Sequence, residues 1–151
     1  MTNKKKLSLS YNSWLVDLKK QIIIARQKAS LALNSALIEL YWRIGSGIIE
    51  KEKVANWGSG FIERLSLDLS LAFPDMKGFS RRNLYAIRQW YLFYSPKSQI
   101  VPQAVAQIPW GHNRLIISKI KEIDEALWYA NATISNGWSR DIIELKIEKK
   151  E

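Results

Sequence analysis

Five side chains between positions 81 and 89 have the chemistry to meet a polyanion: Arg81, Arg82, Tyr85, Arg88 and Gln89. A guanidinium grips a phosphate or a guanine edge through two parallel N–H groups, a glutamine amide pairs with adenine, and a tyrosine stacks or contacts phosphate. These residues sit in Gly-Phe-Ser-Arg-Arg-Asn-Leu-Tyr-Ala-Ile-Arg-Gln-Trp-Tyr, residues 78–91, inside a stretch without Asp or Glu from Met76 to Lys121. That stretch holds Lys77, Arg81, Arg82, Arg88, Lys97, Arg114, Lys119 and Lys121, and so carries eight of the nine formal positive charges of the chain. Elsewhere acids and bases nearly cancel. Such asymmetry points to a surface that meets nucleic acid. The competing explanation is an ordinary solvated face of a basic protein.

Other chemistry is poorly supported. Glu144-Leu145-Lys146 and Glu148-Lys149-Lys150 both spell Glu-x-Lys with Asp141 just upstream, a pattern that holds magnesium when it lies on a nuclease strand. Here Ile142, Ile143, Leu145 and Ile147 are spaced as on a helix, which makes the acids a solvated flank and excludes a catalytic reading. The single histidine, His112, follows Trp110-Gly111 with no nucleophile or carboxylate near it in sequence, so a structural role is expected. Cysteine is absent, which removes disulfides and thiolate metal sites and makes a cytoplasmic setting the expectation. Gly58-Ser59-Gly60 opens a helix but lacks the lysine and spacing of a phosphate-binding loop. Trp57, Trp110, Trp128 and Trp138 stand near loop–helix junctions and are read as core packing. No cofactor, metal or membrane contact is expected, since no apolar run approaches the length of a span.

The elements that would position the arginines are helical throughout. Trp14, Leu18, Ile22, Ala25, Ala29, Ala32, Ala36 and Leu40 recur at spacings of three and four, a stripe of one long amino-terminal helix from about Tyr11 to Lys53. A break near Asn34-Ser35 or a coiled-coil partner would relieve its length. Residues 1–10, with Lys4, Lys5 and Lys6, read as a disordered basic arm, and residues 11–150 as one domain. After a turn at residues 56–60, Phe61, Ile62, Leu65, Leu69 and Ala72 make a short helix that ends before Pro74. Ser80 is a good N-cap for a helix through about Tyr94. On its wheel Leu84, Ile87, Trp90, Tyr91 and Tyr94 form a core face, and Arg81, Arg82, Tyr85, Arg88, Gln89 and Leu92 form the opposite one, with no acid among them. Residues 95–109 read as a loop or small hairpin. Helices then resume at about 112–120, 122–135 and 141–149, the last capped by Ser139.

The short helix, turn and arginine helix make a helix-turn-helix candidate, although the connection Phe73–Phe79 is longer than the standard turn. Trp57-Gly58, Leu65-Ser66-x-Asp68-Leu69, Phe73-Pro74, Gly78-Phe79-Ser80-x-Arg82-Asn83-Leu84, Trp110-x-His112, Trp128-Tyr129 and Gly137-Trp138-Ser139 occur in that order. This set resembles the amino-terminal domain of the YhcG-type bacterial family, formerly a domain of unknown function, over roughly residues 12–150. The resemblance implies a helical module related to helix-turn-helix domains that binds DNA, followed in relatives by a nuclease domain of the PD-(D/E)xK type. This sequence stops at Glu151, where that domain would begin, so no activity of its own is expected. The fold expected is all-α, with a helix-turn-helix-like centre and a long amino-terminal helix. The function expected is a DNA-binding module contacting duplex DNA through Arg81, Arg82, Tyr85, Arg88 and Gln89, with Lys77, Lys97 and Arg114 as phosphate partners. The alternative is a protein–protein interaction or dimerisation module, in which the alanine-lined helix pairs two copies of the chain.

Overall fold

The computed structural model describes the backbone of residues 2–54 and 60–149 and the side chains of residues 11–17, 19–53 and 60–149. The turn expected around Trp57, and Gly58-Ser59 with it, lies outside the described residues, as do the side chains of Lys4, Lys5 and Lys6. The described chain is all-α, with seven helices and no strand. They are α1 (Thr2–Val54), α2 (Phe61–Ala72), α3 (Arg81–Tyr94), α4 (Gln103–Ala106), α5 (Trp110–Lys119), α6 (Ile123–Asn136) and α7 (Arg140–Lys149). The helix boundaries expected for α2 and α3 are met, and the hairpin considered for 95–109 is instead a loop holding the single turn α4. Its three prolines remove the N–H groups that a paired strand needs.

The chain forms two units, residues up to Leu33 and residues from Asn34 onward. In the first, every described side chain from Tyr11 to Leu33 is exposed except that of Leu15. The exposed apolar groups include Trp14, Val16, Ile22, Ile23, Ile24, Leu31 and Leu33. At 100° per residue they are spread around the helix rather than gathered on the one stripe that spacing suggests. The tilted rings of Tyr11 and Trp14 lie 6.0 Å apart.

The second unit begins where a helix break was considered. α1 shows no break at Asn34-Ser35, because these side chains do not compete for its own backbone. Asn34 Nδ2 donates to the Ile108 carbonyl at 3.0 Å, and Ser35 Oγ donates to that of Ala106 at 3.2 Å. Those carbonyls belong to the end of α4 and the loop after it, whose backbone would otherwise go unpaired. Farther along α1, Ile38, Tyr41, Trp42 and Ile48 are buried against Leu84, Ile87, Trp90 and Tyr94 of α3 in one apolar cluster. Around them α3 packs on α2 and α5, α5 on α6 and α7, and α4 on α6.

Aromatic edges set much of this packing. Trp90 meets Trp42 at 5.4 Å and Trp110 at 5.1 Å, both nearly perpendicular, and Tyr41 meets Trp110 at 4.9 Å. Edge-to-face contact places ring hydrogens on ring faces, which adds to the burial of area. Asn83 stands at the polar end of this group and is itself buried. Its amide donates to the Gly78 carbonyl at 2.6 Å, and its carbonyl accepts from Trp110 Nε1 at 2.7 Å. Burial pushes the Tyr41 phenol up, against a smaller opposing effect from the Asn83 side chain. Gly78 has φ +114°, and a Cβ there would fall 2.2 Å from the Tyr41 hydroxyl, so only glycine fits. Tyr94 is fully buried and its hydroxyl has no partner among the described residues; burial pushes its pKa up.

Two glycines in α1 show how closely α1 and α3 approach. A Cβ on Gly45 would sit 2.6 Å from Tyr91 Cβ, whereas a Cβ on Gly47 meets nothing within 4 Å. Gly45→Ala is therefore expected to destabilise the protein by about 2 kcal/mol, through forced separation of the two helices. Gly47→Ala is expected to stabilise it by up to about 1 kcal/mol, since alanine loses less backbone entropy in a helix. Urea unfolding of the two variants checks the pair; equal effects would show that α1 does not seat on α3 at Gly45.

Candidate nucleic-acid interface

The first turn of α3 follows from its cap. Ser80 Oγ accepts from the Asn83 N–H at 3.1 Å, and Asn83 in turn holds the Gly78 turn, so the start of α3 is fixed from both sides. Ser66 of α2 adds a third anchor by donating to the Phe79 carbonyl at 2.6 Å. α2, the turn and α3 are thereby tied together by side-chain hydrogen bonds. The expected division of α3 is observed: Leu84, Ile87, Trp90 and Tyr94 are buried and Tyr91 half-buried, while Arg81, Arg82, Tyr85, Gln89 and Leu92 are exposed and Arg88 is half-buried.

The expectation of an acid-free face fails in space. Arg88 donates through Nε to Glu52 Oε1 at 2.7 Å and through Nη2 to Glu52 Oε2 at 2.8 Å, a two-bond fork that joins α3 to α1. That bonding holds the Glu52 carboxyl below the usual carboxylate range. Arg81 Nε lies 3.6 Å from Glu63 Oε1 of α2, and the Tyr85 hydroxyl donates to the same oxygen at 3.1 Å. The Glu63 carboxylate pushes the Tyr85 phenol up. Lys97 is paired with Asp124 of α6. Sequence distance hid these partners: Glu52 is 36 residues from Arg88 and Glu63 is 22 residues from Tyr85. The only signal available was that a helix packed alongside another brings its own acids with it.

The pairs differ in strength. The Arg81–Glu63 contact is long and its side chains are 68% and 40% exposed, so water and salt screen it to a small fraction of a kcal/mol up to about 1. The Arg88–Glu52 fork is shorter, bidentate and about two-thirds shielded, so Arg88 is held as a clasp between helices. Of the expected site residues, Lys77, Arg82 and Arg114 have no ion-pair partner among the described residues. Lys77, Arg82 and Gln89 are exposed, and Arg114 is half-buried on α5. The structure thus brings Arg81, Arg82, Tyr85, Arg88 and Gln89 onto one outer face, and places Lys97 in a separate pair with α6.

Other residues considered in sequence take structural places. The His112 ring lies with Nε2 3.0 Å from the Trp138 carbonyl, tying α5 to the turn before α7. Trp110 and Trp138 pack partly buried against the core, but Trp128 is 53% exposed and does not do the packing expected of it. Its ring meets that of its neighbour Tyr129 edge-on at 4.9 Å. Glu144 and Glu148 sit on α7 within 3.9 and 3.8 Å of Lys119, on a helix and not on a strand. Among the described residues no helix is long and apolar enough to cross a membrane.

No solved structure matches this chain. It is 27% identical over 156 aligned positions to "Putative nuclease YhcG" of Escherichia coli (strain K12), an alignment that covers 82% of this chain. The chain spans about 40% of the length of that relative. The family model described as DUF1016 N-terminal domain matches residues 17–151, nearly the whole of the sequence read above, and the chain belongs to that family.

Proposed function

We propose that this chain is a DNA-binding module that targets a nuclease-type protein and has no catalytic activity of its own. The observation that carries the reading is the outer face of α3: three guanidiniums and an exposed amide on a rigidly capped helix, with two carboxylates against them. Arg82 is left unpaired and Arg81 only loosely held. A phosphate can displace so weak an internal contact, because it offers the guanidinium a better-matched fork. α2, the turn and α3 supply a helix-turn-helix-like frame, and Lys77 adds an exposed cation in that turn. The nuclease name of the relative supports the setting, with a carboxy-terminal nuclease domain as the part to be targeted, in the cytoplasm.

A second reading is favoured by a separate observation, the exposed Trp14, Ile22, Ile23, Leu31 and Leu33 of the first unit. Apolar groups at that density are ordinarily covered by a partner. A second copy of the chain, paired along residues 14–40, would cover those on one side of the helix, Trp14, Ile22 and Leu33 among them.

Weak binding to a short labelled duplex is expected, with steep salt dependence. Each phosphate contact adds about 0.9 to the slope of log affinity against log salt, so Arg81→Ala with Arg82→Ala lowers that slope by up to about two. Arg88→Ala acts differently: it leaves Glu52 without its partner and costs about 1 kcal/mol of stability before any effect on DNA. A folded Arg81→Ala/Arg82→Ala protein with unchanged affinity and slope would show that α3 is not the contacting face.

Incubated with DNA or RNA and magnesium, the chain is expected to cleave neither. Cleavage that disappears on Glu144→Ala would restore the Glu-x-Lys reading. Sedimentation at micromolar concentration is expected to show dimers that Ile22→Asp and Leu33→Asp dissolve; monomer alone for the unaltered chain would remove the dimerisation reading.

A further inference from the structure

We infer that a cleft between α5 and α7 is a second phosphate site, built to hold the sugar–phosphate backbone of the nucleic acid. The inference rests on the DNA-binding reading and adds to it a surface that no α3 residue lines. The cleft has a volume of about 440 Å³ and is lined by Trp110, Gly111, Arg114 and Ser118 of α5 and by Arg140 and Glu144 of α7, among others. That is within the size range of clefts that take small ligands.

Two guanidiniums converge on it. Gly111, Arg114 and Ser118 are three and four residues apart and so share one face of α5. The Arg140 side chain lies against Gly111: a Cβ there would be in ordinary contact, 3.8 Å from both Cδ and Nη1 of Arg140. Arg140 therefore lies over the α5 turn that also carries Arg114. Neither arginine has an ion-pair partner among the described residues, although Glu144 lines the same cleft. Glu144 is instead 3.9 Å from Lys119, which Glu148 also approaches at 3.8 Å, and counted with these three the two arginines leave the cleft a net charge of one positive.

The remaining groups point to backbone rather than base. The Ser118 hydroxyl donates to the Leu115 carbonyl at 2.7 Å, and Trp110 Nε1 donates to Asn83, so neither hydrogen is free. What stays available is guanidinium N–H, whose planar fork fits two oxygens of one phosphodiester. A guanidinium can also meet a guanine edge, but with no second side-chain N–H or O–H free beside the two arginines the cleft favours phosphate, a contact that fixes position without reading sequence. Trp110 is bonded to the residue that follows Arg82, which links the cleft to the start of α3.

The test is duplex binding across a salt series for the unaltered chain, for Arg114→Ala/Arg140→Ala, for Arg114→Lys/Arg140→Lys, and for Arg82→Ala as a comparison on α3. The alanine pair is expected to lower the salt slope by up to about two, and the lysine pair to keep most of it. Unchanged slope and affinity in a folded alanine pair, with Arg82→Ala still weakening binding, would overturn the cleft and leave the α3 reading in place. If the unaltered chain binds no duplex, the DNA reading itself has failed. The cleft is then judged by the indole N–H resonance of Trp110 on titration with a thymidine dinucleotide and with inorganic phosphate. A saturable shift with the dinucleotide that the alanine pair loses supports a backbone site; a shift with phosphate alone, or no shift, overturns it.

Discussion

The hydrogen bonds of Asn83 hold together what the rest of the second unit depends on. One buried amide bonds the carbonyl of a left-handed glycine in the turn before α3 and the indole of the first residue of α5. Each bond alone is worth about 1 kcal/mol, but a buried amide that loses its partners costs about 1–3 kcal/mol per stranded group. The turn, α3 and α5 are thereby made to order together. Trp110, once bonded, closes the aromatic group with Trp90 and Tyr41, and Trp90 passes the contact to Trp42 of α1. The direction of α3, and with it the direction of every arginine on the outer face, follows from one polar side chain inside an apolar cluster.

Much of this was legible in the sequence, and the reasons are specific. Ser80 before a run of 3.6-period apolar residues fixes a helix start whatever packs on it, and the buried face of α3 follows from the same period. Pro74 ends α2 and the prolines of 95–109 interrupt the helical pattern, so the breaks were legible too, although the sequence leaves a small hairpin in 95–109 open as an alternative to a loop. Asn83 and Gly78 were present in the motif Gly78-Phe79-Ser80-x-Arg82-Asn83-Leu84, but their bond to Trp110 crosses 27 residues and has no local signature. Trp128 misled for the opposite reason. Tryptophan near a helix start is usually packed, and only the placement of α6 turns this one outward.

The candidate interface was half legible. A face of α3 free of acids in its own sequence is not a face free of acids, because charges neutralise one another in space and not along the chain. α1 and α2 deliver Glu52 and Glu63 to the same side of the molecule as Arg88 and Arg81. Pairs of this kind arise wherever basic and acidic helices lie side by side, and a window count over one segment is blind to them. The same holds for Arg140: it stands outside the acid-free stretch, beside Asp141, and looks neutralised in sequence, yet no described acid pairs with it.

Those pairings reshape the field that a polyanion would meet. Of the cations that make the 76–121 stretch basic, Arg81, Arg88, Lys97 and Lys119 have a carboxylate within reach. A charge and its counter-charge a few ångströms apart form a dipole, whose potential falls away faster than that of a lone charge, and salt shortens its range to about 10 Å. Within that stretch, attraction of a polyanion at a distance would therefore be left to Lys77, Arg82, Arg114 and Lys121, and Arg140 of α7 is unpaired as well among the described residues. Arg82 and Lys77 lie at the start of α3, whereas Arg114 and Arg140 share the α5–α7 cleft. On the proposed DNA-binding reading the paired arginines would act later and at shorter range: Arg81 would exchange its loose carboxylate for a phosphate, while Arg88 would give up a two-bond fork and with it a link between α1 and α3. On that reading steering, contact and structural tie would thus fall to different arginines of what reads in sequence as one basic patch.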